Sequence, residues 1–101
     1  VSILHLALRA DWAAARSAGD YRVSTLGRTL EQEGFIHCSR DLEQLRGVHA
    51  AFYGHVSDPL VVLEIDPTGL DVRFEGGFPH VYGPIPLESV TAVRPYEPTT
   101  A

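Results

Sequence analysis

Three histidines carry the chemistry worth testing. His5 lies in ILHLAL, His37 in EGFIHCS and His80 in FPHVYGP. An imidazole offers a donor, an acceptor and a pKa near neutrality, which suits holding a ribose hydroxyl or moving a proton. His5 and His37 each fall in an apolar, strand-like run. If those strands are neighbours, both rings line one crevice. The alternative is a pair of buried, hydrogen-bonded core histidines. His80 and Tyr82 form a further polar-aromatic pair. Pro79, Pro84, Gly77 and Gly83 would hold their loop in a defined shape. That loop reads as a pocket wall or as a surface turn whose aromatics cap the core.

Other groups are weaker candidates. Glu75 stands just before the Gly76–Gly77 pair and is the acid of most interest; its plainer reading is a surface turn residue. Glu64 and Asp66 alternate onto one strand face, as acid–base work requires. The Pro67-Thr68-Gly69 turn after them makes a solvated strand end the better reading. His49 and His55 read as structural or exposed. Cys38 follows His37 directly, so in a strand the two side chains point to opposite faces. Cys38 then reads as a small core residue rather than a nucleophile, which needs a base and an electropositive setting. His5, His37, His80 and Cys38 are zinc-ligand types. No CxxC, HxxxH or HExxH spacing joins them, and no metal is expected. GxGxxG after a strand, a P-loop and a GxSxG elbow are all absent.

The elements that must position these groups can be read from periodicity. Residues 1–8 read as a buried strand, with Ile3, His5 and Ala7 on one face and Leu4, Leu6 and Leu8 on the other. Residues 9–18 read as a short helix, with Asp11 in its first turn and Gly19 as its stop. Residues 21–30 hold a short strand or loop with a helical turn near Leu30. Residues 35–38 read as the next strand, with Phe35 and His37 facing one way and Ile36 and Cys38 the other. Ser39 sits where an N-cap belongs. The helix after it runs to about Tyr53, and Leu42, Leu45, Val48, His49 and Phe52 make its apolar stripe. LVVLEID, 60–66, is a buried strand. LDVRF, 70–74, alternates and reads as a half-exposed antiparallel partner. Residues 75–86 read as a loop with an extended piece at 80–82, and 89–96 as the last strand. The tail beyond about residue 96 is expected to fray.

The chain has 101 residues, and a single domain over 1–101 is the natural count. Its hydrophobic content of 45% and charged content of 21% fit a globular α+β domain with a real core. The formal charge is −5, and all eight basic residues are scattered arginines. That balance argues against duplex DNA as a partner. The single cysteine excludes an intrachain disulfide and fits a cytoplasmic setting. No stretch is apolar and long enough to span a membrane as a helix.

ILHLALRADWAAARSAGDYRVSTL, EGFIHCS, LVVLEID and VRFEGGFPHVYGPIPLESVTAVRP together resemble the bacterial family called domain of unknown function 952. The resemblance covers nearly the whole chain, and EGFIHCS with FPHVYGP is its more specific part. It implies similarity to the ADP-ribosyltransferase fold: a split antiparallel sheet with two or three short helices and a cleft between its halves. Within that superfamily the analogy is to the RNA 2′-phosphotransferases, which use NAD and carry histidines on the first two core strands. By position, the resemblance makes His5 and His37 the catalytic pair. His5 would hold the ribose beside the nicotinamide. His37, with Ser39 nearby, would contact the nicotinamide side or the pyrophosphate. Tyr53 or Tyr82 would stack on the nicotinamide ring, with His80 as a further ligand contact. The superfamily's catalytic glutamate has no clear counterpart; Glu75 is the candidate. The RNA-binding domain of the phosphotransferases has no room here, so RNA repair is not expected.

The expected function is therefore binding of a nucleotide-like small molecule, with NAD or an ADP-ribosylated group as candidate ligand and cleavage of the nicotinamide–ribose bond as candidate reaction. The alternatives are a non-catalytic binding or interaction module of the same fold and a metal-assisted hydrolase using His5, His37 and His80. One fold hosts many functions.

Overall fold

The computed structural model describes residues 1–98. The first half runs β1 (Ile3–Leu8), α1 (Arg9–Ala18), β2 (Asp20–Tyr21), β3 (Val23–Thr25), β4 (Arg28–Thr29), α2 (Leu30–Glu33), β5 (Ile36–His37) and α3 (Leu42–Val48). A π-helical turn, His49–Tyr53, extends α3. The second half runs β6 (Leu60–Ile65), β7 (Val72–Glu75), β8 (Phe78–Val81), β9 (Ile85–Pro86), a 3₁₀ turn (Leu87–Ser89) and β10 (Val90–Pro95). The domain is α+β, with small antiparallel sheets and few, short helices. Among the described residues no helix is long and apolar enough to cross a membrane.

The central sheet has the order β1-β6-β10. Its β1–β6 register is unbroken, from Ile3 opposite Ile65 to Leu8 opposite Leu60. Both faces of β1 and β6 are apolar, and each face fills a different core. Ile3, Ala7, Val61, Leu63 and Ile65 pack against Ala15 of α1, Tyr21, Leu30, and the back of β5 and β8 through Ile36, Cys38 and Val81. Leu6 and Leu60 pack against Leu45, Val48 and Tyr53. Period-two alternation on a doubly covered sheet explains why the strand reads as continuously hydrophobic.

A second sheet has the order β5-β8-β7. The two sheets meet at one step of the chain. Cys38 N–H donates to Pro79 O at 2.9 Å, within the second sheet. The next residue, Ser39, exchanges both backbone hydrogen bonds with Leu4 of β1, at 2.7 Å each. Ser39 is thus buried in a bridge and does not cap the following helix. Asp41 caps it, its Oδ1 accepting from Gln44 N–H at 2.8 Å.

Three other sequence expectations change. The partner of 70–74 is β8, and residues 75–86 are no loop at their start. Gly76 and Gly77 both have positive φ, 61° and 85°, and form a two-residue hairpin turn closed by Glu75 opposite Phe78. Paired left-handed residues match the twist of so tight a hairpin, and glycine reaches them without Cβ strain. In the α3 extension, the wider π turn rotates the chain by one residue. Tyr53, five after Val48, takes the buried place expected of Phe52, which is 51% exposed. Leu42 also lies outside, 42% exposed. At the C-terminal end, Tyr96 N–H still donates to Leu60 O at 2.9 Å. The expected fraying concerns residues that include 99–101, which lie outside the described residues.

His5 proves to be a core histidine. It is 2% exposed, and both ring nitrogens are engaged. Nδ1 lies 2.7 Å from the His37 carbonyl and Nε2 lies 2.9 Å from the Tyr21 hydroxyl. A carbonyl only accepts, so Nδ1 carries the proton and Nε2 accepts from tyrosine. Burial lowers the His5 pKa to about 4. The unfolded chain therefore binds more protons between pH 6.5 and 4. The associated stability is complete above pH 6.5 and is lost as pH falls through that window, by about 3 kcal/mol. His37, also depressed, adds to the same slope. Urea unfolding midpoints of the wild type should fall across this window. His5→Gln, which has no titrating proton, should give a flatter profile. Tyr21→Phe leaves a buried acceptor unpaired and should cost about 1–3 kcal/mol at neutral pH.

Candidate functional site

The front face of the β5-β8-β7 sheet collects the polar and aromatic residues that its back face excludes. Alternation places Phe35 and His37 on it from β5 and its approach, and Phe78, His80 and Tyr82 from β8 and its exit. From β7 it takes Arg73 and Glu75. The register sets His37, His80 and Arg73 side by side across the three strands. Behind them, Ile36, Cys38, Pro79 and Val81 are buried. Burial pushes the Cys38 thiol well up from its ordinary value, which leaves it inert.

This face forms one wall of an open cleft of about 550 Å³. The opposite wall comes from Thr25, Leu26, Arg28 and Glu33, with Phe52 of the π turn at one end. Arg28 and Glu33 pair with each other on that wall. The ring of His80 stacks on Phe35, with centroids 4.0 Å apart and planes 13° from parallel. The ring of His37 lies 4.7 Å from Phe78 and 5.2 Å from His80.

Glu75 organises the polar groups. Its Oε1 receives the Tyr82 hydroxyl at 2.6 Å and His80 Nδ1 at 2.8 Å. These two bonds, tyrosine's first, hold the carboxyl below its usual range. Glu75 is therefore ionised at neutral pH and can only accept. His80 must carry its neutral-state proton on Nδ1, which leaves Nε2 as the basic nitrogen. The same bond pushes the Tyr82 phenol up from its ordinary value, so Tyr82 stays a donor. The Arg73 guanidinium covers the Tyr82 ring at 4.2 Å and pairs with Asp71 at 3.0 Å. His37 is lowered by burial and then by the neighbouring His80, so it is neutral at physiological pH.

The six residues singled out from the sequence separate in space. His37 and His80 share the cleft. His5 does not: its ring points into the core, and what it touches is the His37 carbonyl. Ser39 is buried at the junction of the sheets. Tyr53 lies in the second core, 2% exposed, its phenol pushed up to about 12 mainly by burial. Neither can reach a ligand in the cleft. Tyr82 sits behind Glu75 and positions it; one face of its ring is already covered by Arg73. The rings open to a ligand are Phe35, Phe52 and Phe78, which the sequence reading passed over as ligand contacts. Two of them carried a signal. Phe35 and Phe78 each stand two residues before a cleft histidine, on the same strand face. Asp66 belongs to a turn, its Oδ1 accepting from Thr68 N–H at 3.0 Å, and Glu64 pairs with Arg94. Among the described residues no group of three or more His, Cys, Asp or Glu could hold a metal ion. His5, with both nitrogens engaged, cannot join His37 and His80 on one.

Small antiparallel sheets, few short helices and a histidine-lined cleft make this an α+β domain. The chain belongs to the family described as protein of unknown function (DUF952), whose model matches residues 6–93. It is similar to protein CC0527 from Caulobacter crescentus, with 31% identity to its crystal structure at a TM-score of 0.80. That match covers 96% of this chain and 87% of the other. The solution structure of the same protein gives 31% identity and a TM-score of 0.70, over 91% of this chain and 81% of the other. No protein with a curated description matches.

Long-range ¹H–¹⁵N NMR at pH 8 should show both His5 and His80 as Nδ1–H tautomers. Glu75→Gln should release His80 to a tautomer mixture while leaving His5 unchanged. A wild-type His80 protonated on Nε2 would contradict the arrangement. Because Glu75 is exposed, the substitution should leave the unfolding midpoint close to that of the wild type.

Proposed function

We propose that the cleft binds an NAD-type nucleotide or an ADP-ribosyl group, and that Glu75 and His80 act on its ribose while Tyr82 holds Glu75 in place. The observation that carries this reading is the shared Glu75 oxygen. An ionised carboxylate, fixed by two donors, stands in a cleft walled by flat rings and a neutral histidine. Phe35, Phe78 and His37 offer faces for a nicotinamide ring. The ADP-ribosyltransferase-like resemblance of the sequence supports the same reading. His5 serves it by holding the His37 backbone.

In this mechanism the C–N bond between ribose and nicotinamide breaks, and its electron pair leaves with the nicotinamide nitrogen. The leaving group departs neutral and needs no acid. The developing oxocarbenium charge is stabilised by the Glu75 carboxylate, whose orientation is fixed before the reaction. A water or acceptor hydroxyl then forms the new bond to C1′, and its proton passes to Nε2 of His80. Neutral His37 opposes none of this charge. A second reading, a binding module without turnover, draws on the exposure of Glu75: its side chain is 46% exposed, and water screens its charge.

Isothermal titration with NAD and with ADP-ribose, followed by an assay for released nicotinamide, separates the readings. The wild type should bind with saturable heat and release nicotinamide. Glu75→Gln should bind within a few-fold of wild type and lose about two orders of magnitude or more in release. His37→Ala should weaken binding about tenfold without loss of fold. Binding without release selects the module; no binding of either compound sinks the proposal.

A further inference from the structure

The cleft has a second lobe that the reaction described above does not use. A cavity of about 480 Å³ opens on the other side of Phe52 and Phe78, and shares those two rings and His37 with the cleft. Its remaining walls are Gln44, Gly47, Val48 and Ala51, all from α3 and its π extension. The π turn creates the partition. An ordinary helical continuation would bury Phe52; the extra residue turns it out between the two cavities. Single π turns of this kind recur at functional sites.

Gly47 is the informative residue. It sits inside a helix, where glycine costs about 1 kcal/mol relative to alanine. A Cβ there would meet nothing within 4 Å, so no packing constraint demands glycine. Its φ is not positive, so no backbone constraint does either. What a side chain at this position would fill is the lobe itself. The lobe is also chemically plain. Gln44 is its one polar side chain besides His37, and the amide is already engaged. Its Nε2 donates to Gly77 O at 3.0 Å, and its Oε1 accepts from Arg40 N–H at 2.8 Å.

We infer that this lobe is the subsite for the second flat ring of a dinucleotide, stacked beside Phe52 and Phe78 and read by shape rather than by hydrogen bonds. The inference rests on the proposed function and adds to it the size of the ligand and the indifference of one end. A mononucleotide fills only the cleft. A dinucleotide spans Phe52 and fills both cavities. Purines with different edges bind the lobe with little discrimination, because the Gln44 amide, the one α3 side chain that could read them, is already held by Gly77 and Arg40.

Titration of the wild type and of Gly47→Leu with NAD, with nicotinamide mononucleotide and with the hypoxanthine analogue of NAD tests this. The wild type should bind NAD about tenfold more tightly than the mononucleotide, the scale expected of one stacked base. The hypoxanthine analogue should match NAD within about threefold. Gly47→Leu should weaken NAD about tenfold and leave the mononucleotide unchanged. Its melting temperature, monitored by circular dichroism, should be no lower than wild type, because leucine favours the helix. Ala51→Leu, at a residue that lines the lobe and not the main cleft, gives a second handle, with the same selective loss for NAD. If Gly47→Leu and Ala51→Leu bind NAD as wild type does, or weaken both ligands equally, the lobe is not a subsite although the main cleft stands. If the wild type binds none of the compounds, the proposed function falls and the subsite with it.

Discussion

The site depends on one hydrogen bond, from Nδ1–H of the buried His5 to the carbonyl of half-buried His37. Its second nitrogen is held by Tyr21, so the ring cannot turn away. This pins the short β5 strand to β1 just where the chain passes from one sheet to the other. Next to it, Ser39 and Leu4 exchange their backbone bonds. On the other side, Ser24 Oγ accepts the His37 N–H at 3.2 Å. Both backbone polar groups of His37 are therefore fixed by groups outside its own sheet, while its ring is left for the cleft. A net hydrogen bond contributes only about 1 kcal/mol, but a buried group left without one costs more. The geometry of the functional wall follows from that asymmetry.

The second organising device is the tight hairpin. With only Gly76 and Gly77 between the strands, Glu75 and Phe78 must face each other. His80 and Tyr82 then follow at the two-residue period of a strand, on the same face. A single carboxylate oxygen reaches both. A longer turn would allow other registers, and a one-residue slip would send the histidine to the core side. The glycine pair therefore sets the chemistry although neither residue has a side chain.

Much of the scaffold was legible because it rests on short-range pattern. Helix α1, the buried strands at both ends of the first ladder, and the opposed faces of His37 and Cys38 all follow from local periodicity. What failed depended on partners distant in sequence. Nothing near His5 distinguishes a cleft histidine from one capping a carbonyl thirty-two residues away. Ser39 and Asp41 are both good caps, and the choice was made by Leu4, which claimed the Ser39 backbone. Phe52 and Tyr53 exchanged places through a π turn that no helical stripe reveals. Glu75 was visible as an acid near glycines, but its two partners appear only once the hairpin closes. The open aromatic rings were hidden because phenylalanines read as core. The family's match over residues 6–93 fits this pattern: it gives the frame and no chemistry.

The pairing of β1 also governs how the domain comes to be folded. Synthesis reaches β1 well before its ladder partner β6, and its other edge is closed by Ser39. Ile3 must wait for Ile65 before its backbone is satisfied. Until then an apolar strand with two sticky faces is exposed, the kind of species that aggregates or recruits chaperones. Closing so long a loop is slow, which places assembly of the central sheet late and makes the nascent first half dependent on the second.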